Sequence, residues 1–153
     1  MINTEISVAL LAPVPLVHLE TGLTVFQAKG KVAFGSREWN AFYKLNEISG
    51  GRPVDVYIYA SWAGVKEVWA ATWHGIYIGY VESIGGAHPN GMEFRPESTK
   101  TDTNDSAIFW EIKELRRLPE AEHRPLNNFI GYDKKVTYKK NFKPERPLLV
   151  EHP

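Results

Sequence analysis

Three runs, PVDVYIYAS, WAGVKEVWAATW and HGIYIGYVES, fill the thirty-one residues from Pro53 to Ser83. Each is dense in Val, Ile, Tyr and Trp, side chains that suit a pleated and largely covered surface. On the first run Val54, Val56, Ile58 and Ala60 share one face, while Asp55, Tyr57, Tyr59 and Ser61 share the other. On the second, Glu67, Trp69, Ala71 and Trp73 oppose Val68, Ala70 and Thr72. The runs Lys66–Trp73 and Ile76–Ser83 flank His74-Gly75, a two-residue connection compatible with a hairpin. Both faces of these strands are largely apolar. A sheet with one wet face would alternate, so the pattern predicts an antiparallel sheet closed into a barrel, with a helix or loop packed outside.

Elsewhere the signals are sparser. Ile6 to Leu11 reads as a strand closed by Pro13 and Pro15. Thr24 to Phe34 alternates but is interrupted by Gly30, and is read equally as strand or irregular structure. Ser36 to Ile48 is the best helix, with Ser36 as N-cap, an aromatic stripe of Trp39, Phe42 and Tyr43, and Gly50-Gly51 as the stop. Gly85 to Asp105 is a long polar loop, of the kind that is often functional or mobile. Ala107 to Leu115 is a strand, Arg116 to Pro125 a turn or short helix, and Phe129 to Phe142 a further strand pair. No repeat or heptad occurs.

The chain of 153 residues has the size of one domain, and an apolar share of 43% with 24% charged residues places it among globular proteins rather than disordered ones. It contains no cysteine, so disulfides and thiol chemistry are excluded, and the composition fits a cytoplasmic protein. The early apolar run Val8–Val17 is broken by two prolines and lacks a basic flank, so it is not read as a signal peptide. Nothing approaches the roughly 20 apolar residues that span a bilayer. Net charge is zero, against a protein that coats nucleic acid indiscriminately. The charge is uneven, however: residues 113–153 carry ten basic and six acidic side chains, residues 61–112 three and seven.

The order of these elements resembles the PUA-like β-barrel superfamily, which includes the ASCH and EVE domains. The likeness rests on GGRPVDVYIYAS at 50–61, VWAATWHGIYIGYV at 68–81 and SAIFWEIKELRRLP at 106–119, and covers residues 36–119. It implies a mainly β fold with one or two helices over a single domain, 1–153. Its EVE-type side implies binding of modified bases in an aromatic-walled pocket at one barrel end. The Gly-x-Lys-x-x-Glu-x-Arg motif that marks ASCH domains does not occur, so no catalytic residue is carried over.

Of the five tryptophans, 39, 62, 69, 73 and 110, Trp62 is the best candidate for a ligand wall. It follows Tyr59 and Ser61 at a strand end, beside Gly64. Aromatic rings stack on bases, and a pocket for an extruded base pairs such a ring with polar groups for the base edge. Tyr59, Ser61, Trp62 and Trp73 are therefore the expected pocket; core packing is the alternative for each ring. Arg116, Arg117, Lys134, Lys135, Lys139 and Lys140, interleaved with Tyr132, Tyr138 and Phe142, suit phosphate contacts, the alternative being lysines that keep an exposed edge soluble. The two lysine pairs, five residues apart, are expected to face each other across a short hairpin. The five histidines have no ligand spacing, and no metal or cofactor is expected. The leading expectation is a module binding RNA or modified DNA without a membrane partner. A nucleic-acid or nucleoside enzyme of ASCH-like type, needing a Lys and a carboxylate in one pocket, and a protein-interaction domain are the alternatives.

Overall fold

Strand content dominates, with two helices added. The computed structural model describes residues 2–153. In chain order it contains β1 (Val8–Pro15), α1 (Leu16–Lys29), β2 (Val32–Ser36), α2 (Asn40–Ser49), β3 (Val54–Ser61), β4 (Ala70–Ala71), β5 (Trp73–Glu82), β6 (Ile108–Arg117), β7 (Arg124–Pro125) and β8 (Leu148–Glu151). Six strands form one sheet in the order β2-β6-β5-β3-β1-β8, and β4 pairs with β7 separately.

The sheet differs from the expected antiparallel barrel in two ways. It is mixed, because β1 runs parallel to β3 with Leu10 opposite Val56 and Pro15 opposite Ser61. A parallel pair needs a long crossover, and the α1–β2–α2 segment supplies it. The sheet is also not closed by hydrogen bonds, since β2 and β8 end it. Its two apolar faces are satisfied by cover instead of closure. One face packs Val56, Ile58, Trp73, Trp110 and Ile112 beneath Leu19 of α1 and Phe42 and Leu45 of α2. The other packs Ala9, Leu11, Tyr59, Ala71 and Val150 against Leu126 and Phe129. The facial division expected along β3 is thus the one found.

Several element boundaries move. His74-Gly75 is not a hairpin: β5 runs unbroken through it, His74 opposite Tyr57 and Gly75 opposite Val56. Gly75 serves close approach, because a Cβ there would lie 2.9 Å from Ile112 Cδ1. The Lys66–Trp73 run is instead a 3-10 turn at Gly64–Lys66 followed by the short β4. Ser36 closes β2 and its hydroxyl donates to the Glu38 carbonyl, so α2 begins four residues later with no side-chain cap. Its stop at Gly50, with φ of 63°, is as expected. The 24–34 region, read as strand or irregular structure, divides: α1 takes it as far as Lys29, and from Val32 it is strand β2. β1 extends through both prolines, where β8, which pairs only with Val8–Leu11, has already ended; with one side of the strand unpartnered, a residue lacking an N–H costs little. No strand pair forms over Phe129–Phe142, where Ile130 and Thr137 make a single bridge. No helix among the described residues is long and apolar enough to cross a membrane.

Candidate functional site

β3 ends at Ser61, and the chain then turns sharply. Trp62 adopts φ of 55°, a left-handed conformation that costs a non-glycine residue about 1 kcal/mol or more. Its indole is 90% exposed. Tyr59, two residues earlier, lies on the covered face of β3, with its ring in the apolar cluster of Leu11, Leu126 and Phe129. Its hydroxyl donates to Glu67 Oε1 at the end of the 3-10 turn. The other carboxylate oxygen of Glu67 accepts from Lys143 Nζ at 3.2 Å, and that ammonium sits 4.8 Å from the centroid of Trp69.

These groups meet in one cleft of about 540 Å³, lined by Pro13, Pro15, Tyr59, Ser61, Trp62, Glu67, Lys143, Pro144 and Glu145. Burial, and then the bond to Glu67, push the Tyr59 hydroxyl above the usual phenol range. The Tyr59 bond, and then Lys143, hold Glu67 below the usual carboxylate range. At neutral pH the cleft therefore offers Glu67 as a charged acceptor that already holds the Tyr59 proton, with Lys143 beside it and the exposed Trp62 indole in the same lining.

Three of the four expected pocket residues come together here. Trp73 does not: it lies opposite Ile58 on the other face of the sheet and is buried beneath the helices, with Arg117 5.1 Å from its ring centroid. Side chains alternate along β3 and its neighbour β5, so a residue in register with Ile58 cannot share a face with Tyr59.

The six basic residues do not form one patch. Arg116 and Arg117, adjacent in β6, point to opposite faces; Arg116 lies 3.4 Å from Glu122 and Arg117 3.8 Å from Glu20. Lys134 and Lys135 sit in the turn closed by the Lys135 N–H on the Gly131 carbonyl, and Lys135 bridges to Glu151 at 3.0 Å. Lys139 and Lys140 are exposed, ahead of Phe142, which stacks on Tyr138 at 4.3 Å.

Two polar clusters lie outside the sequence reading. Asp55, only 7% exposed, accepts hydrogen bonds from Thr4 (2.7 Å), His74 (2.8 Å) and His152 (2.7 Å). Burial alone would push its carboxyl up; the bonds from His74, Thr4 and His152 outweigh it and bring it down to about 2. At the carboxyl end of β1, His18 Nδ1 lies 2.6 Å from Ser98 Oγ and its Nε2 3.3 Å from Asp102, beside Arg95, in a cleft of about 340 Å³. Ser98 also bonds Thr21 and the Val17 carbonyl, so this array fastens the Glu97–Thr99 turn to α1. Among the described residues no set of three or more His, Asp or Glu is arranged to hold a metal. Neither cluster has a sequence signature, because partners 19 to 97 residues apart meet only in the fold. Glu67 and Lys143, 76 residues apart, were hidden for the same reason.

Comparison of the chain with family models, curated proteins and solved structures returned no match.

Proposed function

We propose that the chain is a cytoplasmic nucleic-acid-binding module of PUA-like type that takes an unstacked or extruded base, modified bases included, against Trp62. The observation that carries this reading is Trp62 itself. A large indole held 90% in solvent on a left-handed backbone gains nothing for folding. A stacking platform accounts for both costs. Glu67 suits the exocyclic amino group of a base, which needs an acceptor, and Lys143 and the basic C-terminal third suit phosphates. The succession of α2, β3, β5, long loop and β6 over residues 36–119 supports the PUA-like kinship.

Titration of labelled single-stranded RNA and DNA, with and without modified bases, at low salt tests it. Trp62→Ala is expected to weaken binding by about tenfold to a hundredfold, the loss of one stacked base, while leaving the fold intact. Absence of binding to every strand would end this reading. One observation favours an enzyme on nucleic acid or nucleosides as the second reading: Lys143 and Glu67 are a lysine and a carboxylate in contact within one cleft. Product formation from a bound strand, lost in Lys143→Met, would select it over binding alone.

A further inference from the structure

A second cleft, of about 430 Å³, opens beside Tyr57 and is lined among others by His74, Arg116, His123, Arg124 and Asn128. Tyr57 lies two residues before Tyr59 on the same face of β3, so Phe129, edge-on to Tyr57 at 5.5 Å, and its apolar neighbours separate this cleft from the one beneath Trp62. Its polar groups are mostly unspent. Arg124 makes no ion pair among the described residues, and its guanidinium rests 5.8 Å from the Phe129 ring centroid. Among the described residues Arg116 is held only by Glu122, at 3.4 Å, with both side chains about half exposed. Exposed pairs of that kind exchange readily for a better partner.

His74 is fixed from behind. Its Nε2 donates to Asp55 Oδ1, and the other Asp55 oxygen is taken by Thr4 and His152. That leaves imidazole Nδ1 for the cleft and fixes the ring that carries it. Three donors already surround the Asp55 carboxylate, which reduces its repulsion of an incoming anion. Burial, and then the nearby Asp55 charge, raise the Tyr57 hydroxyl, so it remains a proton donor. The cleft thus collects two guanidinium groups and a phenol as donors together with the His74 imidazole, and Glu122, on Arg116, is the one carboxylate in its lining.

We propose that this cleft binds a phosphate monoester, with Arg116, Arg124 and Tyr57 meeting its terminal oxygens and His74 Nδ1 hydrogen-bonded to one of them. A guanidinium matches two phosphate oxygens at once. A monoester has the third terminal oxygen that a diester lacks. The source is either a free phosphorylated small molecule or the terminal phosphate of a strand. The site does not depend on the Trp62 reading.

The test is a ¹H–¹⁵N titration of the full chain with inorganic phosphate, a nucleoside 5′-monophosphate and dimethyl phosphate. Saturable shifts around Tyr57, His74 and Arg124 are expected with the first two and not with the diester. Arg124→Gln and Tyr57→Phe are each expected to weaken binding, the former by about tenfold or more. Arg124→Lys, which keeps the charge but loses the fork, should fall between wild type and Arg124→Gln. Trp62→Ala should leave phosphate binding unchanged, which separates failure of this site from failure of the base cleft. A 5′-phosphorylated strand binding more tightly than its 5′-hydroxyl counterpart would assign the strand as source; equal binding, with the monophosphate still saturating, would assign a free ligand. No saturable shift with phosphate or monophosphate, equal affinity in a folded Arg124→Gln variant, or equal response to dimethyl phosphate would overturn the proposal.

Discussion

Asp55 and Trp62 stand at opposite ends of β3 and present opposite problems. Asp55 is a buried carboxylate made tolerable by three donors, from the N-terminal segment, β5 and the C-terminal tail. With its pKa depressed to about 2 from an unfolded value near 3.9, it contributes stability that is fully present above about pH 4 and is lost as pH falls through about 2. The span corresponds to roughly 2–3 kcal/mol. Urea unfolding across pH 2 to 7 should therefore show an acid loss that Asp55→Asn flattens, the variant being less stable than wild type at pH 7; an unchanged acid slope would remove the network from the account. None of this was legible in the sequence, where Asp55 reads only as a polar residue alternating with valines. Trp62 was legible, because a tryptophan between a strand end and a glycine is conspicuous. Its acceptor Glu67 and cation Lys143 were not, since the side chains that complete the cleft come from a turn and from a segment 76 residues downstream.

At the scale of elements, pattern succeeded where it was strong and failed where tertiary contacts decide. β3 and β6 and the stop of α2 follow from alternation and from Gly50. Helix α1 escaped because Thr21, Gly22, Thr24 and Val25 are poor helix formers. It forms by docking, close enough that a Cβ placed on Gly22 would lie 3.4 Å from Phe34 and from Pro96. The reading of His74-Gly75 as a turn failed because glycine has two uses, turning and close approach, and sequence alone does not separate them. Gly75→Val should restore strand propensity yet cost about 1–3 kcal/mol through overpacking against Ile112, measured as a lower urea midpoint. A stabilised Gly75→Val variant would contradict the placement of this residue inside β5.

For the whole molecule, a sheet apolar on both faces is decisive for class but not for closure. Cover by α1 and α2 on one side and by Leu126 and Phe129 on the other meets the same need as a barrel wall. β8 is central to that cover: it pairs with β1, places Val150 in the second cluster, and leads to His152 on Asp55. Deleting residues 148–153 should lower stability by about 3 kcal/mol or more, from lost burial together with an orphaned bond to a buried carboxylate. A truncated chain with an unchanged thermal midpoint would show that β8 is dispensable.

Trp62 is proposed to be exposed for a ligand rather than for the fold. Trp62→Gly addresses this directly, because glycine accepts φ of 55° without strain while removing the ring. Relief of the left-handed conformation offsets the extra freedom glycine adds to the unfolded chain, so stability should stay within about 0.5 kcal/mol of wild type. Affinity for a single-stranded oligonucleotide at low salt should fall by about tenfold to a hundredfold. Undiminished binding by the folded glycine variant would contradict the account.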